Sequence, residues 1–211
     1  MKALINARIL ADYILNLSNF CITDREERVS YNHIGALLAD VILQSGLNYK
    51  HVVFPRVQRI LIEYSEYNTT TSFHKLLDEN GPRYVINWTH PEKINRIMSV
   101  ISLLKKYGIR NEDEFKFWLT SEENVEILLA LKGIGPKTID YLKGLLNIPG
   151  VAVDRHVKAF IAQAGLRLND YSEIKKTVEF SADLLGISRS SIDYSIWVYM
   201  SEKQYIISKN K

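Results

Sequence analysis

Apolar residues recur along this chain at intervals of three and four, the spacing of a helix face, and rarely alternate one by one as in a half-buried strand. The spacing predicts a first helix over residues 3–17, with Leu4, Ile9, Ile14 and Leu15 among its apolar positions. A second covers 31–43 and is so rich in small and apolar residues that burial is expected. Between them, Thr23-Asp24-Arg25-Glu26-Glu27-Arg28 is a charged break and a candidate linker. Gln44-Ser45-Gly46-Leu47-Asn48 closes the second helix with a polar turn whose glycine suits a left-handed cap. Further helices are predicted over 52–64, 71–77, 91–107 and 113–120. Thr89-His90-Pro91-Glu92 reads as a helix entrance with proline inside the first turn. Thr120-Ser121-Glu122-Glu123 has capping-box spacing ahead of a helix over 125–131. The last helices fall over 138–146, 155–164, 172–185 and 190–201, with Gly165 and Gly186 ending the second and third of these. Residues 207–211 read as a frayed polar tail. The class is all-α, with no internal repeat.

Composition narrows the setting. The 211 residues and 46% hydrophobic content suffice for one large domain or two small ones. No run of about 18 apolar residues is present, so no membrane span is expected. Arg8 and Asp12 interrupt the apolar stretch near the start, which argues against an export signal and for a cytoplasmic, nucleoid-associated location. The single cysteine, Cys21, excludes an internal disulfide and any cluster that needs several thiolates. No His or carboxylate pair has convincing metal-ligand spacing, and no cofactor is expected. A net charge of +3 is compatible with nucleic-acid binding and equally with an ordinary enzyme.

Chemistry concentrates in Leu131-Lys132-Gly133-Ile134-Gly135-Pro136-Lys137-Thr138 and in Val151-Ala152-Val153-Asp154-Arg155-His156. The first string reads as two short helices joined by a tight Gly-x-Gly hairpin. Gly133 and Gly135 allow a sharp turn and close approach of a ligand to the backbone. Pro136 fits the first turn of the second helix, where its missing N–H costs nothing. The free amides around Gly133, Ile134, Gly135 and Thr138, with the helix dipole behind them, then suit an anion such as a DNA phosphate. Such contacts set register without reading bases. A compact turn between packed helices is the plain alternative.

Lys137 falls in the first turn after Pro136. The positive end of a helix disfavours an ammonium there, and a neutral lysine amine can attack an electrophilic sugar carbon to form a Schiff base. Contact with a phosphate is the alternative role. Val151 to Val153 should bury the chain just before Asp154, which would cap the helix that starts at Arg155. Capping and catalysis are compatible, because an oriented carboxylate can stabilise positive charge on a sugar as its base departs.

These two strings resemble the helix-hairpin-helix DNA glycosylase superfamily that includes endonuclease III. Leu-Lys-Gly-Ile-Gly-Pro-Lys-Thr is similar to its hairpin, with Lys137 at the catalytic-lysine position, and Val-Asp-Arg-His is similar to the segment that carries its aspartate, here Asp154. The resemblance is strong over residues 125–160 and extends by helix order to the whole chain. It implies two helical lobes, residues 1–28 with 150–211 and residues 29–149, with duplex DNA in a cleft between them and the target nucleotide flipped. A lysine at this position resembles the bifunctional branch, which removes a damaged base and then cleaves the strand by β-elimination. The four-cysteine iron–sulfur site of endonuclease III is absent. The nearest subclass is that of the compact, cluster-free, archaeal-type 8-oxoguanine glycosylases.

The implied partner is double-stranded DNA that contains a damaged base or an abasic site, bound by a monomer. A flipped base needs a stacking surface and polar edge readers. Trp197 is the stacking candidate, with a place in the core as its alternative. Gln44 stands where related enzymes place residues that enter the duplex, and it equally suits a helix C-cap. Asp40, one turn earlier on the same face, could read the base or assist its departure. Lys132, Arg155 and His156, with Lys143 and Lys158, would add contacts to phosphate, and for His156 a helix-start hydrogen bond is the alternative. Two rival functions remain: a monofunctional glycosylase in which Asp154 activates water, uracil or mismatched bases included, and a non-catalytic DNA-binding module. The damaged base itself is not legible.

Overall fold

The computed structural model describes residues 2–24 and 29–209, with side chains to Ser201, and all regular structure among them is helical. The chain divides into two compact units, residues 1–27 with 147–211 and residues 28–146. No helix among the described residues is long and apolar enough to cross a membrane.

The first unit joins α1 (Lys2–Leu15) to α10 (Arg155–Gln163), α11 (Tyr171–Leu185) and α12 (Arg189–Lys209). Helix α1 lies along α11, and α10 and α11 both meet α12. The inward face of α1 carries Ala7, Leu10, Ala11 and Ile14, whereas Leu4, Ile5, Ile9 and Leu15 are exposed. Small residues inside let α1 approach α11 closely enough for the Ser181 hydroxyl to donate to the Ala7 carbonyl at 2.9 Å. Phe160 packs among Tyr13, Phe20 and Tyr199 at centroid separations of 5.3–5.7 Å. Thr23, in the expected linker, donates its amide to Ser195 Oγ at 2.9 Å, which ties that segment to α12. The rest of the linker, Arg25 to Arg28, lies outside the described residues. The expected tail is also corrected. With no glycine or proline after Ser201 to stop it, α12 runs through Lys209, and only Asn210 and Lys211 lie outside the described residues.

The second unit is built on α2 (Ile34–Leu43), every residue of which is buried. Helix α2 meets α3 (Phe54–Glu63), α4 (Thr70–Asn80), α6 (Pro91–Lys106) and α9 (Pro136–Leu145), and α5 (Pro82–Ile86), α7 (Glu112–Trp118) and α8 (Glu122–Leu129) complete the unit. Gly35 lets α2 meet the Phe73 ring of α4 so closely that a Cβ there would run into it. The start of α2 comes three residues later than its periodicity predicts, because Asn32 takes a left-handed conformation (φ 50°) that asparagine tolerates and a helix does not. Ahead of α3 the chain makes a wide π turn, Tyr49–Val53, in place of an α-helical start. Pro55 lacks an amide and crowds the carbonyl four residues back, so the Phe54 N–H reaches instead to Tyr49. The capping box ahead of α8 does not form. Ser121 makes no side-chain cap, and Thr120 donates its hydroxyl to the Phe117 carbonyl at 2.7 Å.

His33 caps α2 from inside the core. Its Nδ1 accepts from the Ala36 N–H at 3.2 Å, and its Nε2 stands 3.1 Å from the Tyr64 carbonyl, the pattern of a neutral Nε2–H imidazole. Burial holds its pKa below the ordinary 6.5, against the opposing pull of the Tyr64 carbonyl and the Glu112 carboxylate. The unfolded chain therefore takes up a proton near 6.5 while the folded chain does not, so stability falls as pH drops below that value. A lower urea midpoint is expected at about pH 5 than at about pH 7, with a smaller difference in His33→Asn, which keeps a cap without titrating. An unchanged difference in that variant would remove His33 as its source.

Candidate active site

The hairpin takes its shape from two features of its turn. Gly133 adopts φ 83°, a left-handed conformation costly for other residues, and Gly135 is extended just before Pro136 opens α9. Ile134 is buried at 7% exposure among Leu38, Val41, Ile42, Leu128, Ile139 and Leu142, and anchors the turn to α2. Its side chain is therefore core, and only its backbone is left for a ligand. Lys132 and Lys137 are exposed and Thr138 is half-buried. As second residue of α9, Lys137 contributes one of the amides that no preceding turn can satisfy. Its ammonium makes no hydrogen bond or ion pair with the described residues.

One cation at this turn is not foreseen by the sequence. The side chain of Arg96, from α6, lies over Gly133, so that a Cβ added there would meet its guanidinium. Periodicity marks Arg96 only as a polar position on a helix 37 residues before Gly133, and nothing local signals that α6 runs beside the hairpin. Alanine at Gly133 would combine left-handed strain with displacement of Arg96. Gly133→Ala is expected to lower unfolding free energy by about 1–2 kcal/mol, read by urea denaturation, and to weaken duplex binding. Unchanged stability and binding would contradict this account of the turn.

Beyond the hairpin, Lys93 of α6 donates Nζ to the carbonyls of Ile42, Leu43 and Ser45 at 3.0, 3.0 and 2.7 Å. Burial, then the neighbouring Arg96 charge, lowers its pKa from the usual lysine value. A cation on the last carbonyls of α2 complements the negative end of that helix. It holds in place the turn that carries Gln44, which is half-buried and serves as the C-cap, its N–H bonded to Asp40 O at 3.1 Å. Asp40 is the residue expected near the base. It is fully buried and accepts hydroxyls from Tyr31 (2.6 Å), Tyr49 (3.1 Å) and Tyr141 (2.9 Å), so its carboxylate faces phenols of its own chain.

In the other unit, Val151 and Val153 are buried at 0% and 3% exposure and fix the chain just before Asp154. The Val153 amide adds a bond to the Tyr171 hydroxyl oxygen at 3.2 Å. Asp154 is extended and caps α10, with Oδ1 accepting from the His156 and Val157 amides at 2.8 and 3.0 Å. Its Oδ2 accepts no hydrogen bond among the described residues. The carboxylate is thus oriented through one oxygen and left open at the other. Arg155 is exposed. His156, expected on a phosphate, is only 5% exposed. As second residue of α10 it turns inward with Val157 and Phe160, while its Nε2 lies 3.4 Å from Arg155 Nε.

Trp197 is 50% exposed and lies outside the core, while Ile192 and Ile196 of α12 are fully buried. It stacks on Tyr194, with centroids 6.1 Å apart and planes 16° from parallel. Tyr194 is an aromatic that sequence reasoning passed over, although its spacing of three residues from Trp197 is that of helix neighbours. Lys137 and Asp154 belong to different units, the hairpin residues to the second and Asp154, Arg155, His156 and Trp197 to the first. No protein-family model, curated protein or solved structure matches the chain.

Proposed function

We infer that this protein is a base-excision DNA glycosylase with abasic-site lyase activity, in which Lys137 is the nucleophile and Asp154 the electrostatic partner. The observation that carries the inference is Lys137 itself: an uncommitted amine on the first turn of α9, directly after a glycine turn overlain by the Arg96 guanidinium. The sequence resemblance to helix-hairpin-helix glycosylases supports the same roles. The turn amides, Lys132 and Arg96 would hold phosphates of duplex DNA, a contact that places the strand without reading its sequence.

With the damaged nucleotide out of the stack, Nζ of Lys137, having lost a proton, attacks C1′ of the sugar. The bond from C1′ to the base nitrogen breaks, and its electron pair leaves with the base, which takes up a proton. Positive charge that develops on the sugar is stabilised by the Asp154 carboxylate, already oriented by its Oδ1 cap. Ring opening then yields a Schiff base between Nζ and C1′. Loss of a C2′ proton expels the 3′ phosphate, and water finally releases the lysine.

The test uses duplexes that carry 8-oxoguanine, thymine glycol, uracil or an abasic site, each incubated with the protein and borohydride. A reduced covalent adduct is expected on the abasic duplex and on at least one damaged-base duplex. Base release without any adduct would instead indicate a monofunctional enzyme in which Asp154 activates water. Binding with neither base release nor adduct would reduce the protein to a DNA-binding module.

A further inference from the structure

Helix α2 is apolar and small along its whole length except for one charged residue, Asp40, which is 0% exposed. An ionised carboxylate in such surroundings is costly unless hydrogen bonds hold it. A leucine would fill the space at no polar cost. The carboxylate does what leucine cannot: it accepts Tyr31 and Tyr49 hydroxyls on Oδ2 at 2.6 and 3.1 Å and the Tyr141 hydroxyl on Oδ1 at 2.9 Å. These phenols come from the strand of chain entering α2, from the π turn that follows the Gln44 loop, and from α9. Tyr141 stands four residues, one helical turn, beyond Lys137.

The ten residues of α9 bury Ile139, Leu142 and Leu145. Apolar contact is non-directional, and on its own leaves a short helix free to roll or slide on its neighbour. A hydrogen bond to a fixed carboxylate sets its rotation. Through the same carboxylate Tyr49 is tied to the end of the Gln44 turn, whose beginning Lys93 already holds through three carbonyls.

We propose that Asp40 is a positioning residue that locks α9 and the turn after α2 into one register, fixing Lys137 relative to Gln44. The proposal rests on the reading of Lys137 as nucleophile for its catalytic consequence, and on the hydrogen-bond geometry alone for its structural one. Tyr31, which lies in neither of the two segments, supplies the internal control.

The experiment compares Asp40→Asn, Tyr141→Phe and Tyr31→Phe in the full chain on an abasic duplex, measuring Kd and the borohydride-trapping rate at saturating DNA. Asp40→Asn and Tyr141→Phe are expected to trap about tenfold more slowly with Kd changed by less than about threefold, since misplaced reacting groups lose rate in the bound state. Tyr31→Phe is expected to stay within about twofold of wild type in both. An equal rate loss in Tyr31→Phe, a loss explained wholly by Kd, or no loss would overturn the proposal. Tyr141→Phe removes a single hydroxyl and keeps the test open should Asp40→Asn fail to fold. Amide hydrogen exchange gives a readout independent of activity. Faster exchange confined to α9 in Tyr141→Phe, and to α9 with residues 44–53 in Asp40→Asn, supports positioning; a uniform rise across the unit, or none, overturns it. Should wild type trap no abasic duplex, the Lys137 reading fails and exchange alone decides the positioning role.

Discussion

Lys137→Ala is expected to abolish borohydride-trapped adduct and to reduce strand cleavage at an abasic site by roughly a thousandfold or more, because it deletes the amine proposed to form the covalent intermediate. Binding to the same duplex should weaken by only about threefold, the effect of losing one charge among several proposed to face phosphates. Stability should stay within about 0.5 kcal/mol of wild type, since the side chain is exposed and makes no bond or ion pair with the described residues. Gel assays of cleavage and binding, with urea denaturation, read all three. A variant that cleaves as well as wild type would eliminate Lys137 as the nucleophile. A variant that loses binding and cleavage together would make it a phosphate contact.

The second large effect falls on Asp154, where structure and chemistry separate. Asp154→Asn retains an oxygen for the His156 and Val157 amides and, as a comparably good N-cap, should alter stability by no more than about 0.5 kcal/mol. It removes the negative charge that would stabilise the sugar cation, and base release measured in single turnover should slow by about a hundredfold. Asp154→Ala removes cap and charge together. It should show the same rate loss with about 1 kcal/mol of lost stability in addition. If Asn kept the wild-type rate and only Ala were impaired, Asp154 would be a helix cap and nothing more.

The hairpin turn and the Asp154 cap were legible because their signals are local. A Gly-x-Gly-Pro turn and an aspartate ahead of a helical run are patterns within a few residues, set by backbone conformation and unsatisfied amides rather than by distant packing. The helical class was legible for the same reason, since burial of one face imposes its period along the chain. Features that depend on contacts between distant segments were not. Asp40 looked like a polar position one turn before Gln44, yet its partner Tyr141 lies 101 residues away, and no local pattern announces that the two meet. Arg96 and Gly133 meet across helices in the same manner. His156 is buried because the rotation of α10, not proximity to Asp154 in sequence, decides which first-turn side chains face inward. Short α5 was missed because the five residues from Pro82 to Ile86 carry too little periodicity to read.

Covalent bonding of the proposed hairpin lysine amine to the sugar is read by peptide mapping of the borohydride-reduced adduct between wild-type protein and an abasic duplex. One modified peptide is expected, with the reduced sugar on Nζ of Lys137. An adduct on another lysine, or strand cleavage with no adduct at all, would rule out Lys137 as the nucleophile.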